Sequence, residues 1–331
     1  ESNTEKGIMA LKRLVEKDKV DILVGGAMSG IVLAQMDYLK SYNKVFLAVG
    51  VSSPLIAKKV AENYDKYKYE FRTTINALAL CKAIVEDELA MLVKRGHKKF
   101  AILREDAAWN RGLVKFLNKG VPNIGGTIVS VVDFDPKTID FAPVFSKITS
   151  AKADVAIPLL AHTDTITLYK QWHEMKPPFR MAGFNNPGLD AKYWDKTGGA
   201  CLSEVNTAWG PVLRAVITPK SIPFFDNYSK KFEEAPHGCA PTAYDAVYIF
   251  ADAARRAKSF ETDALIKALE ETDYVGATGR MVFNKKTHDV TFGSAEYCPF
   301  LVTQWQEGGK FEILLPKAIA TSKYQDPPWL K

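Results

Sequence analysis

Short apolar runs alternate along the chain with longer stretches whose apolar residues recur every three or four positions. The short runs are strand-sized: VDILVG at 20–25, VFLAV at 45–49, then 100–103, 127–133, 155–160, 180–183 and 200–205. The periodic stretches predict helices. The first covers about 3–16 and carries Ile8, Leu11, Leu14 and Val15 on one face, with Asn3 or Thr4 as its cap. Further helices are predicted at 31–42, 54–61, 77–95, 109–117, 141–150 and 163–175, and Gly96 is a C-terminal stop for the longest. Strand–helix alternation of this kind predicts an α/β fold, a doubly wound parallel sheet with helices on both faces. The rhythm changes after Val205. A polar, proline-bearing stretch (206–223) precedes three helices at 224–234, 242–258 and 262–271. Strands follow at 279–283 and 299–306, and the Glu307-Gly308-Gly309 turn leads to 311–315 as a hairpin.

Composition narrows the function classes. A length of 331 residues with 47% hydrophobic and 25% charged residues predicts about two globular domains. No charge-free apolar run reaches 18 residues, so direct membrane insertion is not expected. The net charge of +6 is spread thinly, and the lysine pairs (58–59, 98–99, 230–231, 285–286) are isolated from one another. A nucleic-acid groove needs a basic stripe interleaved with aromatics, so no nucleic-acid partner is expected. Four cysteines (Cys81, Cys201, Cys239, Cys298) lack CxxC spacing, which argues against a metal site. Their even number permits two disulfides that chains of this size do not need. GxSxG, HExxH and Walker patterns are absent, and the five histidines are scattered. No catalytic residue, cofactor or metal is therefore expected.

In parallel sheets, ligands sit beyond the carboxyl ends of the strands. The first such loop is Gly25-Gly26-Ala27-Met28-Ser29-Gly30, leading into a helix with Ser29 as its expected N-cap. The second is Gly50-Val51-Ser52-Ser53-Pro54, where Ser53 can cap and Pro54 suits the first helical turn. Two helix N-termini on neighbouring strands, with small residues and hydroxyls, suit a carboxylate. The plainer reading is that both serines only cap. Later loops carry Trp109, the His162/Asp164 pair and Asn185-Asn186-Pro187. Trp109 could wall an apolar pocket or pack on its own helix. His162 is weak evidence for base chemistry.

These segments, taken in order, resemble the type I periplasmic solute-binding proteins of the leucine/isoleucine/valine-binding kind that serve ABC importers. The markers are VDILVGGAMSG, LAVGVSSP, Tyr69-Glu70-Phe71-Arg72-Thr73, FAILREDAAWNRG, the Asp140-Phe141 pair, TAYDAVYIFADAA and GRMVFN. The resemblance implies two doubly wound lobes joined by a three-segment hinge. Lobe one would hold 1–75 and 208–285, and lobe two 76–207 and 286–331. It also implies closure on a small-molecule ligand, a membrane permease as partner, and a periplasmic or cell-surface location. Members of the family carry a strand, a helix and a strand ahead of the point where Glu1 stands, so the resemblance implies a chain without that N-terminal strand–helix–strand.

Carried over residue by residue, the resemblance places Met28, Ser29, Gly50, Val51 and Ser52 at the ligand carboxylate. From lobe two it places Trp109 as an aromatic wall, Ala161 where an aromatic is usual, and Asn185 where amino-acid binders have a carboxylate for the ammonium. An ammonium buried without a carboxylate is costly. The expected ligand is thus an aromatic or aliphatic acid, with a hydrophobic amino acid as the variant in which Glu105, Asp106 or Asp164 takes over. Two other classes stand beside this: a cytoplasmic ligand-sensing regulator of the same fold, and a doubly wound enzyme.

Overall fold

The computed structural model describes residues 3–330. Among the described residues, twelve strands form three sheets. Strands β1 (Leu23–Gly25), β2 (Phe46–Ala48) and β3 (Glu70–Arg72) make a small, wholly parallel sheet in sequence order. The large sheet contains β4 (Lys99–Glu105), β5 (Thr127–Phe134), β6 (Val155–Leu160), β7 (Arg180–Asn185) and β8 (Val205–Trp209), followed in the chain by the antiparallel ribbon β9 (Asp273–Val275) and β10 (Arg280–Val282). Strands β11 (Phe300–Gln306) and β12 (Lys310–Leu315) then complete the large sheet, whose order is β12-β11-β8-β7-β6-β4-β5. Strand β11 runs antiparallel to both its neighbours, so the sheet is mixed rather than purely parallel.

Burial explains the apolar runs. In β4, Phe100 and Ile102 enter one core of the large lobe while Ala101 and Leu103 enter another on the opposite face. A strand covered on both faces reads as a continuous hydrophobic run. The small lobe has its own core of Leu23, Phe46, Leu47 and Phe71, covered by Val32 and Met36 from one helix and Ile249, Ala253, Leu265 and Leu269 from two others. The first helix is capped by Asn3, whose Oδ1 accepts from Lys6 N at 3.0 Å.

The chain passes between the lobes three times, and two of the passages come later than expected. Phe71 packs in the small lobe and Ile75 in the large one. Val212 and Ala215 still pack in the large lobe, and Val290 and Cys298 still pack in the small one. Buried polar contacts lie beside both late segments, and those of residues 288–290 hold the second one in the small lobe. Strand β8 carries Asn206 and Thr207, whose polarity imitates a loop. In the structure, however, Asn206 Nδ2 donates to Asn185 O at 2.7 Å and Thr207 Oγ1 donates to Glu88 Oε2 at 2.6 Å. Residues 288–290 run beside β3, with Arg72 N donating to His288 O at 2.9 Å and Val290 N to Arg72 O at 3.0 Å.

Other sequence expectations also shift. Residues 200–204 form turns, with Ser203 at φ 71°, so the strand expected at 200–205 begins only at Val205. The helix expected at 109–117 is a single 3-10 turn (Ala108–Asn110), then Gly112 at φ 85°, then the helix Leu113–Asn123. The long helix expected at 77–95 is continuous but has a π-type stretch at Ile84–Leu89. Strands β3 and β9 are too short to register as periodic patterns. All four cysteines are free. Among the described residues no helix is long and apolar enough to cross a membrane, and no cluster of His, Cys, Asp and Glu is arranged to hold a metal.

Candidate functional site

Parallel pairing brings the first two loops together. Gly25 is in register with Ala48, so the segments after β1 and β2 leave the sheet side by side. Val49 N donates to Gly25 O at 2.9 Å, and Ser53 N donates to Ser29 Oγ at 3.2 Å. Gly26 sits at φ 84°, a conformation open to glycine. Gly50 has no room for a side chain: a Cβ there would lie 2.8 Å from Cys239 Sγ and 2.9 Å from Gly26 O.

Ser29 is not the cap that the sequence predicted. The helix Ser29–Tyr42 starts at Ser29 itself, with Met28 in the cap position. The first helix amides with a backbone partner are Ile31 N (to Met28 O, 3.0 Å) and Val32 N (3.1 Å), so the Ser29 and Gly30 amides face outward from the helix end. Ser53 does cap its helix Pro54–Glu62, its Oγ accepting from Leu55 N at 3.3 Å. Behind this second loop, the buried Arg72 donates Nη1 to Ser53 O at 2.8 Å and is neutralised by Asp289, whose two oxygens lie 2.8 and 2.7 Å from Nε and Nη2. Ser52 Oγ has no partner among the described residues.

Across the cleft, β4, β6 and β7 are adjacent parallel strands, so the loops that follow them share one edge. Glu105, the last residue of β4, is fully buried and organises that edge. Its carboxylate accepts from Trp109 Nε1 (2.9 Å), His162 N (2.9 Å), Thr163 N (3.0 Å) and Thr163 Oγ1 (2.7 Å), and His162 Nδ1 lies 2.8 Å away. Burial by itself would raise this carboxyl, but the hydrogen bonds from His162, Trp109 and Thr163 prevail and hold it down at about 2. Asn110 ties the same loops together, its Nδ2 donating to Glu105 O at 2.8 Å.

The two edges enclose a cavity of about 430 Å³. Of the residues that the sequence singled out, Met28, Ser29, Gly50, Val51, Ser52, Trp109 and Ala161 line it. Asn185 does not, which corrects the expectation. It is fully buried, its Nδ2 donating to Glu204 Oε1 at 2.7 Å and to Tyr193 Oη at 3.1 Å. The strand ends at Asn185, and it is the neighbouring Asn186, already in the helical region at φ −60° and ψ −47°, that lines the cavity. Buried Glu204, beneath, has its carboxyl raised to about 8 by desolvation.

Several lining residues escaped the sequence reading. Phe184 and Trp209 extend the aromatic wall: Trp109 meets Phe184 edge-on at 5.5 Å, and Phe184 meets Trp209 at 5.8 Å. Trp209 ends β8, so extending that strand to its true end would have marked it. His162, noted only for base chemistry, lines the cavity together with Thr74, Ile75, His237 and Cys239. His237 and Cys239 approach from the segment before the helix Ala240–Ala257 and carry no local signal. Among the described residues, no Asp, Glu, Lys or Arg lines the cavity.

The fold is that of known solute-binding proteins. One is an ABC-transporter solute-binding protein from Rhodopseudomonas palustris, solved with 3,4-dihydroxybenzoic acid. It superposes with a TM-score of 0.78 at 20% identity, covering 93% of this chain and 81% of that one. A leucine-binding protein from Thermotoga maritima gives 0.79 at 18% identity, covering 96% and 85%. A second R. palustris solute-binding protein, solved with benzoate, gives 0.75 at 15% identity, covering 97% and 84%. The family model described as periplasmic binding protein matches residues 1–310, and this chain belongs to that family.

Proposed function

We propose that the chain is the extracytoplasmic solute-binding component of an ABC importer, that it is not an enzyme, and that it closes its two lobes on a small monocarboxylic acid. The observation that carries the reading is the make-up of the cavity. Lobe one supplies hydroxyls and the amide ends of two adjacent helices, and lobe two supplies aromatic rings. Helix-end amides and hydroxyls bind a carboxylate without a cationic side chain. An ammonium would find no carboxylate, because Glu105 is already committed to five protein donors. The wall of Trp109, Phe184 and Trp209 fits a flat apolar body, so an aromatic acid is favoured over an amino acid. The relatives solved with benzoate and dihydroxybenzoic acid support this choice. A ligand touching both lobes favours the closed form by its differential contacts.

Titration calorimetry with benzoate, leucine and phenylalanine tests the reading. Benzoate is expected to bind with Kd in the micromolar range or tighter, about −8 kcal/mol, and leucine to be silent. Tight leucine binding with none for benzoate would overturn the ligand class.

A further inference from the structure

Within the wall of the large lobe, Glu105 does more than fill a buried position. Every side chain and amide that donates to its carboxylate belongs to the two loops that face the cavity. An ionised carboxylate only accepts, so the contact of 2.8 Å to His162 requires the ring proton on Nδ1. In the neutral ring Nε2 then carries a lone pair. Nε2 has no partner among the described residues and is not sealed off, the side chain is 31% exposed, and His162 is one of the residues lining the cavity. From this geometry we infer that His162 is the specificity residue of the large lobe, its Nε2 accepting from a hydroxyl on the ring of the bound acid, and that Glu105 is the positioning residue that fixes its tautomer.

The inference rests on the aromatic-carboxylate reading and narrows it. A lone pair fixed at the edge of an aromatic wall selects a hydroxyl donor. It gains nothing from an unsubstituted ring or from an ether oxygen, and it repels a second carboxylate. The ligand class is therefore hydroxylated aromatic monocarboxylates. The carboxylate end is held by the loops of lobe one, on the other side of the cavity, so the two ends are read by different lobes and should respond to substitution independently.

The test uses calorimetry on the full chain near neutral pH with benzoate, 3- and 4-hydroxybenzoate and 4-methoxybenzoate. At least one hydroxybenzoate should bind about tenfold tighter than benzoate, and the methoxy compound should show no gain. His162→Phe should abolish the hydroxyl preference, bringing the hydroxybenzoate and benzoate affinities of the variant within about threefold of each other. Glu105→Gln, whose amide can donate to Nδ1 and move the ring proton to Nε2, should also lose the preference. Long-range proton–nitrogen NMR of the wild type reads the tautomer directly, without depending on any variant folding, and should find the proton on Nδ1. A preference that survives in His162→Phe, or a wild-type ring protonated at Nε2 alone, overturns the assignment. Tight benzoate binding with no hydroxyl preference overturns this inference and leaves the carboxylate reading standing. Leucine binding without any benzoate binding overturns both.

Discussion

The two lobes build their halves of one cavity by different means. The small lobe presents backbone: two helix ends, glycines packed too closely for side chains, and short hydroxyl residues held in place by sheet register. The large lobe presents side chains: three aromatic rings and a histidine, two of these four fixed by one buried carboxylate. A backbone site needs only small residues and correct pairing, so many sequences can form it. A side-chain site needs a dedicated supporting group, so its chemistry changes with a few substitutions. The shared feature of the family should therefore lie in the small lobe, and ligand choice in the large one.

The largest test of this contrast is Glu105→Ala. Five donors would be left in a buried space, and the chain should lose about 3–5 kcal/mol of stability by denaturant titration. A loss below about 1 kcal/mol would mean that water or another acceptor replaces the carboxylate and that the wall is not pinned by it.

The second prediction sets the buried carboxyls of the two lobes against each other. Glu70, on β3, is fully buried with neither oxygen partnered among the described residues. Desolvation raises it to about 8, opposed by Arg72. Its folded value lies above the unfolded one, so its penalty is absent below about pH 4.5 and grows as pH rises toward 8. Glu70→Gln should therefore gain stability relative to wild type between pH 5 and 9, by on the order of 3 kcal/mol at the alkaline end. Glu105 has the opposite sign: its folded value of about 2 is depressed, and its contribution is full above about pH 4.5 and fades as pH falls toward 2. The deficit of Glu105→Gln should close over that acid window. Parallel pH profiles for the two variants would refute the contrast.

Gly50→Ala sharpens the small-lobe side. The added methyl meets Cys239 Sγ and Gly26 O, and relief requires the two loops to part. A stability cost of about 1–3 kcal/mol is expected, with a loss of affinity for every carboxylate tested and no change in preference among them. A change in preference would show that the lobes do not divide the ligand between them. The smallest effect should come from Ser29→Ala, which removes the acceptor of Ser53 N. A cost of about 1 kcal/mol and a severalfold weaker carboxylate affinity are expected.

Much of this was legible in the residues. Continuous apolar runs in β4 and β6 revealed strands covered on both faces, because a doubly buried strand has no polar face to alternate. Small residues and hydroxyls after two consecutive strands marked two loops that line the cavity, because neighbouring parallel strands release their loops at one edge. The reading failed where polarity was buried. Asn206 and Thr207 read as loop, yet they lie in a strand and are matched by Asn185 and Glu88 from distant elements. Asn185 read as cavity-facing, but that place belongs to the next residue, Asn186.

The sequence by itself determined the α/β rhythm, the two helix starts that follow consecutive strands, and the lack of a motif for catalysis or metal binding, because these depend on patterns within about ten residues of one another. Only the tertiary structure decided which lobe each late segment joins, which asparagine lines the cavity, and that Glu105 holds His162 and Trp109 in place. Those outcomes depend on hydrogen bonds between residues as far as 218 positions apart in the chain. Local pattern marks that a strand is present; what its last side chain touches is set by whichever strand folds in beside it.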